Sequence, residues 1–309
     1  MTVSWPVEVD EVLDGDQVVA VASVTPAGGV VISPMTNFAV HDRQSGIVRV
    51  NGSVGASKKL DRMRANPNVA LAFHSRAYSA STRSEYVVVQ GKAKVLPPVP
   101  DYPAIMGHRW DEKDGPPPRG IWAWWLRTYY TRIPIDISVE RVIVWPDLRA
   151  SGTPRVYGAA LPPEPQPQKP PSGGTASRVD PHRVSALAQR LPHPLIGWLG
   201  DDGRPMLAPV EVTACARDAV QLSTASPLLP PGGRRGGLTA HQFSKHLRGE
   251  EQRMYTGWVE GAPSSSCAAY HPHTAFGFHL PPSTTLYRLL VGFSARRGAR
   301  APTHPTPAG

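Results

Sequence analysis

The residues best suited to chemistry lie where a short helix begins, in the stretch GASKKLDRMRANPNVAL at positions 55 to 71. Ser57 supplies a hydroxyl, and Lys58 and Lys59 supply two adjacent ammonium groups. The N-terminus of a helix already carries unpaired N–H groups and a partial positive charge, so two more cations are costly there unless an anion faces them. Amides, a hydroxyl and two cations together are typical of a phosphate site.

The segment before this helix adds further polar groups. Asn51 and Ser53 lie in NGSVGA, which leads small amide and hydroxyl side chains up to the helix. The arrangement is not a P-loop, because no glycine precedes the lysine in GASKK. Two solvated lysines on a surface helix are the alternative interpretation, and the motif taken alone favours that alternative.

The elements around the helix are predicted to be β-strands. Runs of β-branched residues separated by turn residues indicate strands at 18–24, 29–35, 46–51, 68–74, 85–95 and 137–146. Ser57 is predicted to cap the helix, and Asn66-Pro67 to end it, because the residue before a proline avoids the α conformation. Strands at this spacing with few helices predict a closed or nearly closed antiparallel barrel.

The second half of the chain repeats this order in a weaker form. Strands are predicted within 193–212 (two, around a DDGR turn), 218–227 and 252–261. Residues 234–247 are predicted to form a helix at the position that the Ser57 helix has in the first half. Arg234 and Arg235 then correspond to Lys58 and Lys59. These arginines suit a second anion site, a contact to the first cofactor or a plain surface pair. The shared order indicates a divergent internal repeat, whose two barrels can pack about a pseudo-twofold axis.

Composition narrows the function classes. The chain has 309 residues and a net charge of +9, with only two cysteines, too few for a disulfide framework or a four-thiolate zinc site. No apolar run approaches the ~20 residues of a membrane span, and the N-terminus lacks the pattern of a signal peptide. We therefore expect a cytoplasmic protein with no membrane partner. The eleven histidines lack ligand spacing, so no metal site is predicted.

The basic charge does not favour nucleic acid, because much of the excess lies in a Pro- and Gly-rich terminus. The predicted organisation is a first domain at 1–159, a Pro-rich extended linker at 160–178, a second domain at 179–293 and a disordered basic tail at 294–309. The tryptophan-rich residues 119–130 are predicted to form an amphipathic helix that docks the two halves, with a ring-stacking lid over a flavin as the alternative.

The first half resembles the FMN-binding split-barrel family. That family includes pyridoxamine 5′-phosphate oxidase and its flavin- and deazaflavin-dependent actinobacterial relatives. Its signature is matched by Ser57-Lys58-Lys59 opening a helix, by Asn66-Pro67 closing it, and by Gly91-Lys92-Ala93 in a later strand. Trp145 and Arg155 match a Trp and an Arg of the oxidases' last strand. The resemblance extends over residues 15 to 158, and over the second half only in outline.

The resemblance implies a mainly β fold with short helices, in which two split β-barrel domains pack as a pseudo-dimer. It also implies an oxidoreductase that uses FMN, or alternatively a deazaflavin or haem, on a small-molecule substrate. A flavin or haem carrier without turnover is the alternative function. Catalytic residues stay unassigned, because the flavin carries the reaction. Whether the pseudo-dimer associates further stays open.

The resemblance also implies which residues contact the cofactor. The phosphate would be held at the helix start, the ring system would lie along residues 33–37, and the second repeat would close the site. The implied contacts are Ser33, Met35, Asn37, Asn51, Ser53, Ser57, Lys58, Lys59 and Trp145. Glu85-Tyr86 stands where the oxidases place Arg-Gln, and SPMTNF lacks their basic residue. We therefore do not expect a pyridoxamine phosphate oxidase.

Overall fold

A computed structural model describes residues 3–216 and 218–299. The first half contains α1 (Val7–Gly15), β1 (Val18–Val24), β2 (Val30–Thr36), β3 (Val40–Asp42), β4 (Ile47–Ser53), α2 (Ser57–Ala65), β5 (Asn68–Phe73), β6 (Tyr86–Val95), α3 (Tyr102–Met106), α4 (His108–Lys113), α5 (Ile121–Tyr130), β7 (Arg132–Trp145) and β8 (Arg155–Gly158). The second half contains α6 (Pro181–Gln189), β9 (Leu195–Leu199), β10 (Pro205–Pro209), β11 (Glu211–Ala216), β12 (Ala219–Ser223), β13 (Gly232–Gln242), β14 (Glu251–Gly261), β15 (Cys267–His279) and α7 (Thr284–Ala299).

The two halves have the same sheet topology. The first sheet runs β2-β1-β5-β6-β7-β4-β3, with β8 added to β7, and the second runs β10-β9-β13-β14-β15-β12-β11. Every strand of the first path therefore has a counterpart of the same rank in the second. The mainly β fold, built as a tandem repeat of two curled antiparallel sheets, is confirmed.

A shared glycine supports the repeat in detail. A Cβ atom on Gly91 would lie 2.2 Å from the carbonyl oxygen of Ser138, and one on Gly257 would lie 2.2 Å from that of His271. Each glycine lies at a shift of register between its strand and the next, in β6 and in β14 respectively. The two halves therefore have the same bulge at the same place, and only glycine fits there.

The strands at the centre of the first sheet are buried on both faces. Val19 and Val21 of β1 face the core of the first barrel, whereas Ala20 and Ala22 face the second half. Strand β5 alternates in the same way. The alanine faces let the two halves approach closely, and a Cβ atom on Gly237 of β13 would lie 2.2 Å from the carbonyl oxygen of Val30. Small residues therefore determine how the halves pack.

The prediction of a second helix at residues 234–247 is wrong. Residues 232–242 form β13, which pairs with β9 and β14 as β5 pairs with β1 and β6. Residues 224–231 join β12 to β13 without a helix, so α2 has no counterpart there. Arg234 is only 1% exposed and donates to the carbonyl oxygens of Pro165 and Pro231, while the backbone N–H of Arg235 donates to Gln168. Both arginines therefore bind the segment that joins the halves.

The C-terminal expectation also needs correction. Residues 294–299 belong to α7 and are not disordered, because the apolar side of α7 packs on α5. Residues 300–309 lie outside the described part of the chain. Trp125 of α5 donates from Nε1 to the carbonyl oxygen of Arg288 at 3.0 Å, so the tryptophan-rich helix connects the first half to the second.

Two histidines meet where the halves touch. His74 follows β5 and His241 lies in β13, the counterpart of β5, and their Nε2 atoms are 2.7 Å apart. The Nδ1 atom of His74 lies 3.0 Å from the carbonyl oxygen of Ala72, which can only accept, so Nδ1 carries the proton of a neutral ring. The Nε2 of His74 then accepts from His241, and a proton on both Nε2 atoms would break this contact.

We predict that acid weakens the fold through these histidines. A third ring, that of His193, has its centroid 5.3 Å from that of His241. Burial lowers the pKa of His74 to about 3 and that of His193 to about 4, and it lowers the pKa of His241 well below its ordinary value. Since histidines of the unfolded chain titrate near 6.5, the unfolded state binds more protons below that pH. Each buried histidine therefore removes up to about 1.4 kcal/mol of stability per pH unit as the pH falls from about 6.5 towards the folded pKa.

The measurement is the free energy of urea unfolding from pH 7 downwards. His241→Gln should show a shallower pH dependence, because an amide donates to His74 without titrating. The same substitution at the exposed His108 serves as the control and should leave the slope unchanged. Equal slopes in all three proteins would contradict the assignment.

Candidate functional site

Helix α2 begins without a side-chain cap. Its N-cap is Ala56, one residue earlier than predicted, so Ser57 is the first helical residue and its hydroxyl is free of the capping role. The first turn contains no acidic residue. Ser57 and Lys58 are exposed and Lys59 is half-buried, so the positive end of α2 presents a hydroxyl and two cations to its surroundings.

Leucine and methionine hold this helix in place. Leu60 and Met63 are almost fully buried and join the core of the first barrel, as their spacing predicts. The helix ends at Asn66, whose backbone is extended at φ −139° and ψ 107° before Pro67, which confirms the predicted stop. The cationic end of α2 is therefore held against the sheet by its own apolar face.

The end of β4 forms the adjoining wall. Ser53 pairs with Arg132, and Asn51 pairs with Pro134, at the start of β7. A Cβ atom on Gly55 would lie 3.2 Å from the Cα atom of Gly298, so the backbone of α7 packs on the loop before α2. The structure thus brings Asn51, Ser53, Ser57, Lys58 and Lys59 together in consecutive elements, with α7 beside them.

The predicted cofactor contacts on and after β2 have different surroundings. Ser33 and Met35 share the face of β2 that points into the first barrel, and Met35 is 8% exposed. The side-chain amide of Asn37 donates to the carbonyl oxygens of Leu13 and Asp16 at 2.7 and 2.9 Å, and its oxygen accepts from the N–H of Ala39. Asn37 therefore secures the end of α1.

Trp145 lies in a different part of the molecule. It ends β7, whose first residue, Arg132, adjoins the site, and the 13 intervening steps correspond to about 40 Å of extended strand. Its ring packs 5.4 Å from that of Tyr86, in the core between the halves. The structure does not bring Trp145 together with the two lysines.

The second half reaches the site through the start of β14. Gln252 donates from Nε2 to the carbonyl oxygen of Pro34 at 3.2 Å and also to Glu250. Burial raises the pKa of Glu250 to about 7, against the opposing effects of Gln252 and Lys59. Burial, assisted by Arg62, lowers the pKa of Lys59 to about 8. The pKa values of a lysine from one half and a glutamate from the other are thus both shifted towards neutral pH.

A second acid and a buried arginine adjoin this pair. Burial raises the pKa of Asp114, and Arg132 opposes the shift. Tyr129 donates to Asp114 at 3.0 Å, and its oxygen is 3.1 Å from that of Tyr287, which belongs to α7. The guanidinium of Arg132 lies 4.1 Å from the ring centroid of Tyr129. Titratable groups from both halves with shifted pKa values are typical of functional sites.

Sequence reasoning missed Asp114, Arg132 and Glu250. None belongs to a motif, and each reaches the site through long-range packing. The one available signal was that Arg132 opens a strand otherwise rich in isoleucine and valine. The residues present fit an anionic group, because Lys58 and Lys59 lie at a helix N-terminus without a first-turn acid and Arg132 is close enough to affect Lys59.

An open cleft of about 420 Å³ lies between the halves, beside the end of β12, which is the counterpart of β4. It is lined by His74, Arg149, His193, Glu211 and Ser223, among others, and Ser223 ends β12 as Ser53 ends β4. The segment TASPLLPP that follows contains no lysine or arginine. The cleft therefore lacks the cationic helix start of the first half.

Residues 6–128 match the family model described as pyridoxamine 5′-phosphate oxidase. No curated protein matches the chain.

Solved structures of similar proteins each cover about half of this chain. A protein related to general stress protein 26 from Clostridium acetobutylicum is 13% identical, covers 49% of this chain and 92% of its own, and has a TM-score of 0.34. An F420 reductase is 22% identical, covers 43% of this chain and 94% of its own, and has a TM-score of 0.30. A FAD-binding protein from Mesorhizobium loti is 19% identical, covers 51% of this chain and 97% of its own, and has a TM-score of 0.30.

We predict that Arg132 stabilises the folded site. Arg132→Met removes the charge that faces Asp114 and the stacking on Tyr129, and should lower the free energy of unfolding by at least about 2 kcal/mol. Adding Asp114→Asn should restore part of the loss, because the carboxylate is then no longer left without its cation. Urea unfolding measures both effects. Arg127→Met, at an exposed position of α5, is the control and should cost little. A loss no larger than that of the control would refute the prediction.

Proposed function

We propose that the protein is a flavin-dependent oxidoreductase acting on a small molecule, because residues 6–128 match the family model described as pyridoxamine 5′-phosphate oxidase. Ser57, Lys58 and Lys59 would hold the phosphate of the cofactor, with Asn51 and Ser53 beside it. FMN is the proposed cofactor, and a phosphate-bearing deazaflavin is the alternative.

The charge at the start of α2 is the observation that supports this proposal most directly. Lys58 and Lys59 oppose the dipole of their own helix, and the first turn has no acid to offset them. Arg62 and Arg132 add to the repulsion, since each contributes to the lowered pKa of Lys59, and the nearby Glu250 only partly opposes them. Such an arrangement is favourable when a dianionic group occupies the space in front of the helix.

The chain's own residues would bind the cofactor and exclude water. A bound flavin supplies the redox chemistry. Gln252, through its bond to Pro34, fixes the second half across the end of β2, and α7 encloses the loop at Gly55. Glu250, with a pKa of about 7, can hold or release a proton at its carboxylate near neutral pH.

A carrier that binds flavin without turnover is the second candidate. The close backbone contact between Gly55 and Gly298 favours it, because α7 restricts access beside the phosphate position. Both candidates require cofactor binding, and only the enzyme would oxidise the reduced cofactor with a substrate. Haem stays a third cofactor option, which a red absorption spectrum would reveal.

We predict that replacing both lysines by alanine weakens FMN binding at least about a hundredfold, since two charge-assisted contacts are lost. The stability of the protein without cofactor should stay the same or rise by a few tenths of a kcal/mol, because cations that oppose the helix dipole are removed. Fluorescence titration with FMN and with a deazaflavin, beside thermal unfolding, measures both effects.

The matched control is Arg64→Ala, which removes an exposed cation from the other end of α2. It should leave cofactor affinity unchanged. If the lysine double variant bound both cofactors as tightly as the unmodified protein does, the phosphate assignment would be abandoned, together with most of the proposed function.

The affinity should also depend on pH through Lys59. Because the pKa of Lys59 is lowered to about 8, the free protein loses this cation as the pH rises from 7 to 9. FMN affinity should therefore fall over that interval in the unmodified protein. The Lys59→Met variant should lack the part of this fall that comes from deprotonation of Lys59. Titrations at several pH values test this, and identical profiles in the two proteins would exclude Lys59 from the phosphate site.

A further inference from the structure

Helix α7 is apolar on two opposite faces. One face, formed by Tyr287, Val291, Gly292 and Ala295, is buried against the rest of the protein. The other face contains Leu286, Leu289, Leu290 and Phe293, which are 43% to 57% exposed. These four residues follow the i, i+3, i+4, i+7 spacing of a single stripe along a helix. The stripe points away from the side on which α7 packs.

Helix α5 extends this apolar surface. Ile121 and Trp124 are both more than half exposed. The guanidinium of Arg296, on α7, lies 4.6 Å from the ring centroid of Trp124 and donates to its carbonyl oxygen at 3.3 Å. Arg296 therefore bridges the two helices, and we call their exposed apolar residues together the α5–α7 face. It consists of Ile121, Trp124, Leu286, Leu289, Leu290 and Phe293.

The two helices and the segments that lead into them carry charge of one sign. Residues 115–131 and 280–299, which contain the two helices and the segments that lead into them, include five arginines and no aspartate or glutamate. Arg297 is exposed at the end of the leucine stripe, and Arg119 and Arg127 are exposed near and on α5. An apolar helix face bordered by arginines, with an exposed tryptophan, is typical of helices that lie in a membrane interface.

We propose that the α5–α7 face binds the surface of an anionic lipid membrane. Leucine, phenylalanine and tryptophan side chains would enter the boundary between headgroups and acyl chains, and the arginines would contact the lipid phosphates. A second copy of the chain fits less well, because two such faces would bring arginines together with no acid from either helix to pair with them.

This proposal departs from the expectation of no membrane partner. That expectation came from the lack of a spanning segment, and none of the helices in the described residues is long and apolar enough to cross a membrane. A helix that lies in the plane of the interface needs only one exposed apolar face. The sequence does not show that face, because both sides of α7 are apolar and only packing reveals which one is covered.

The test is co-sedimentation of the full chain with vesicles. We expect binding to vesicles of equal parts phosphatidylglycerol and phosphatidylcholine, much weaker binding to phosphatidylcholine alone, and a decrease with rising salt. Leu289→Ser combined with Phe293→Ser should weaken binding at least about a hundredfold. Arg297→Gln should weaken it about fivefold.

The matched control is Phe276→Ser, which removes a similarly exposed aromatic side chain from β15. It should leave vesicle binding unchanged, and thermal unfolding checks that all variants are folded. Flavin titration of each variant separates this proposal from the proposed function, which does not depend on the leucine stripe.

Three results would overturn the proposal. The first is failure of the folded protein to bind the anionic vesicles. The second is equal binding by the double variant. The third is a dimer in sedimentation that the double variant dissociates, which would assign the α5–α7 face to a second copy of the chain.

Discussion

The close approach of the two sheets is the constraint on which the rest of the molecule depends. Ala20 and Ala22 leave the outer face of β1 nearly flat, and Gly237 lets β13 pass against the carbonyl oxygen of Val30. Any larger side chain at Gly237 would push the halves apart. Because this contact is tight, the start of β14 lies against the end of β2, and the second half contributes Glu250 and Gln252 to a site whose cations come from the first half.

The two halves differ in helix α2. Both retain the same strand order and the same glycine bulge, since these maintain the sheets themselves. Helix α2 and its lysines occur in the first half, and residues 224–231 cross the equivalent gap in the second. A helix outside the sheet can be absent without breaking any strand pair, and the pair of lysines at its start is then absent with it. The two halves therefore share their sheet architecture but differ in charge at this position, because only the first half has the lysines of α2.

Burial between the halves also determines the electrostatics of the site. Lys59 and Glu250 would be fully charged in water, and both pKa values move towards neutrality because neighbouring chain replaces solvent. Asp114 follows the same rule, and Arg132 is retained next to it by stacking on Tyr129 and by the opposite charge. A flavin phosphate placed at α2 would enter an environment in which each charge interacts more strongly than at an open surface.

The sequence alone determined what depends on neighbouring residues. Runs of β-branched residues predicted the strands, Asn66-Pro67 predicted the end of α2, and the adjacent lysines identified a cationic helix start, since backbone sterics and side-chain type act over a few residues. Tertiary structure decided the rest. It made a strand of the stretch that begins at Arg234, used the amide of Asn37 to secure α1, separated Trp145 from the lysines, and brought Glu250 to Lys59. Those outcomes depend on contacts between residues that are far apart in the chain, and burial and strand pairing set the strength of these contacts. A local sequence pattern does not encode which distant partner each residue meets.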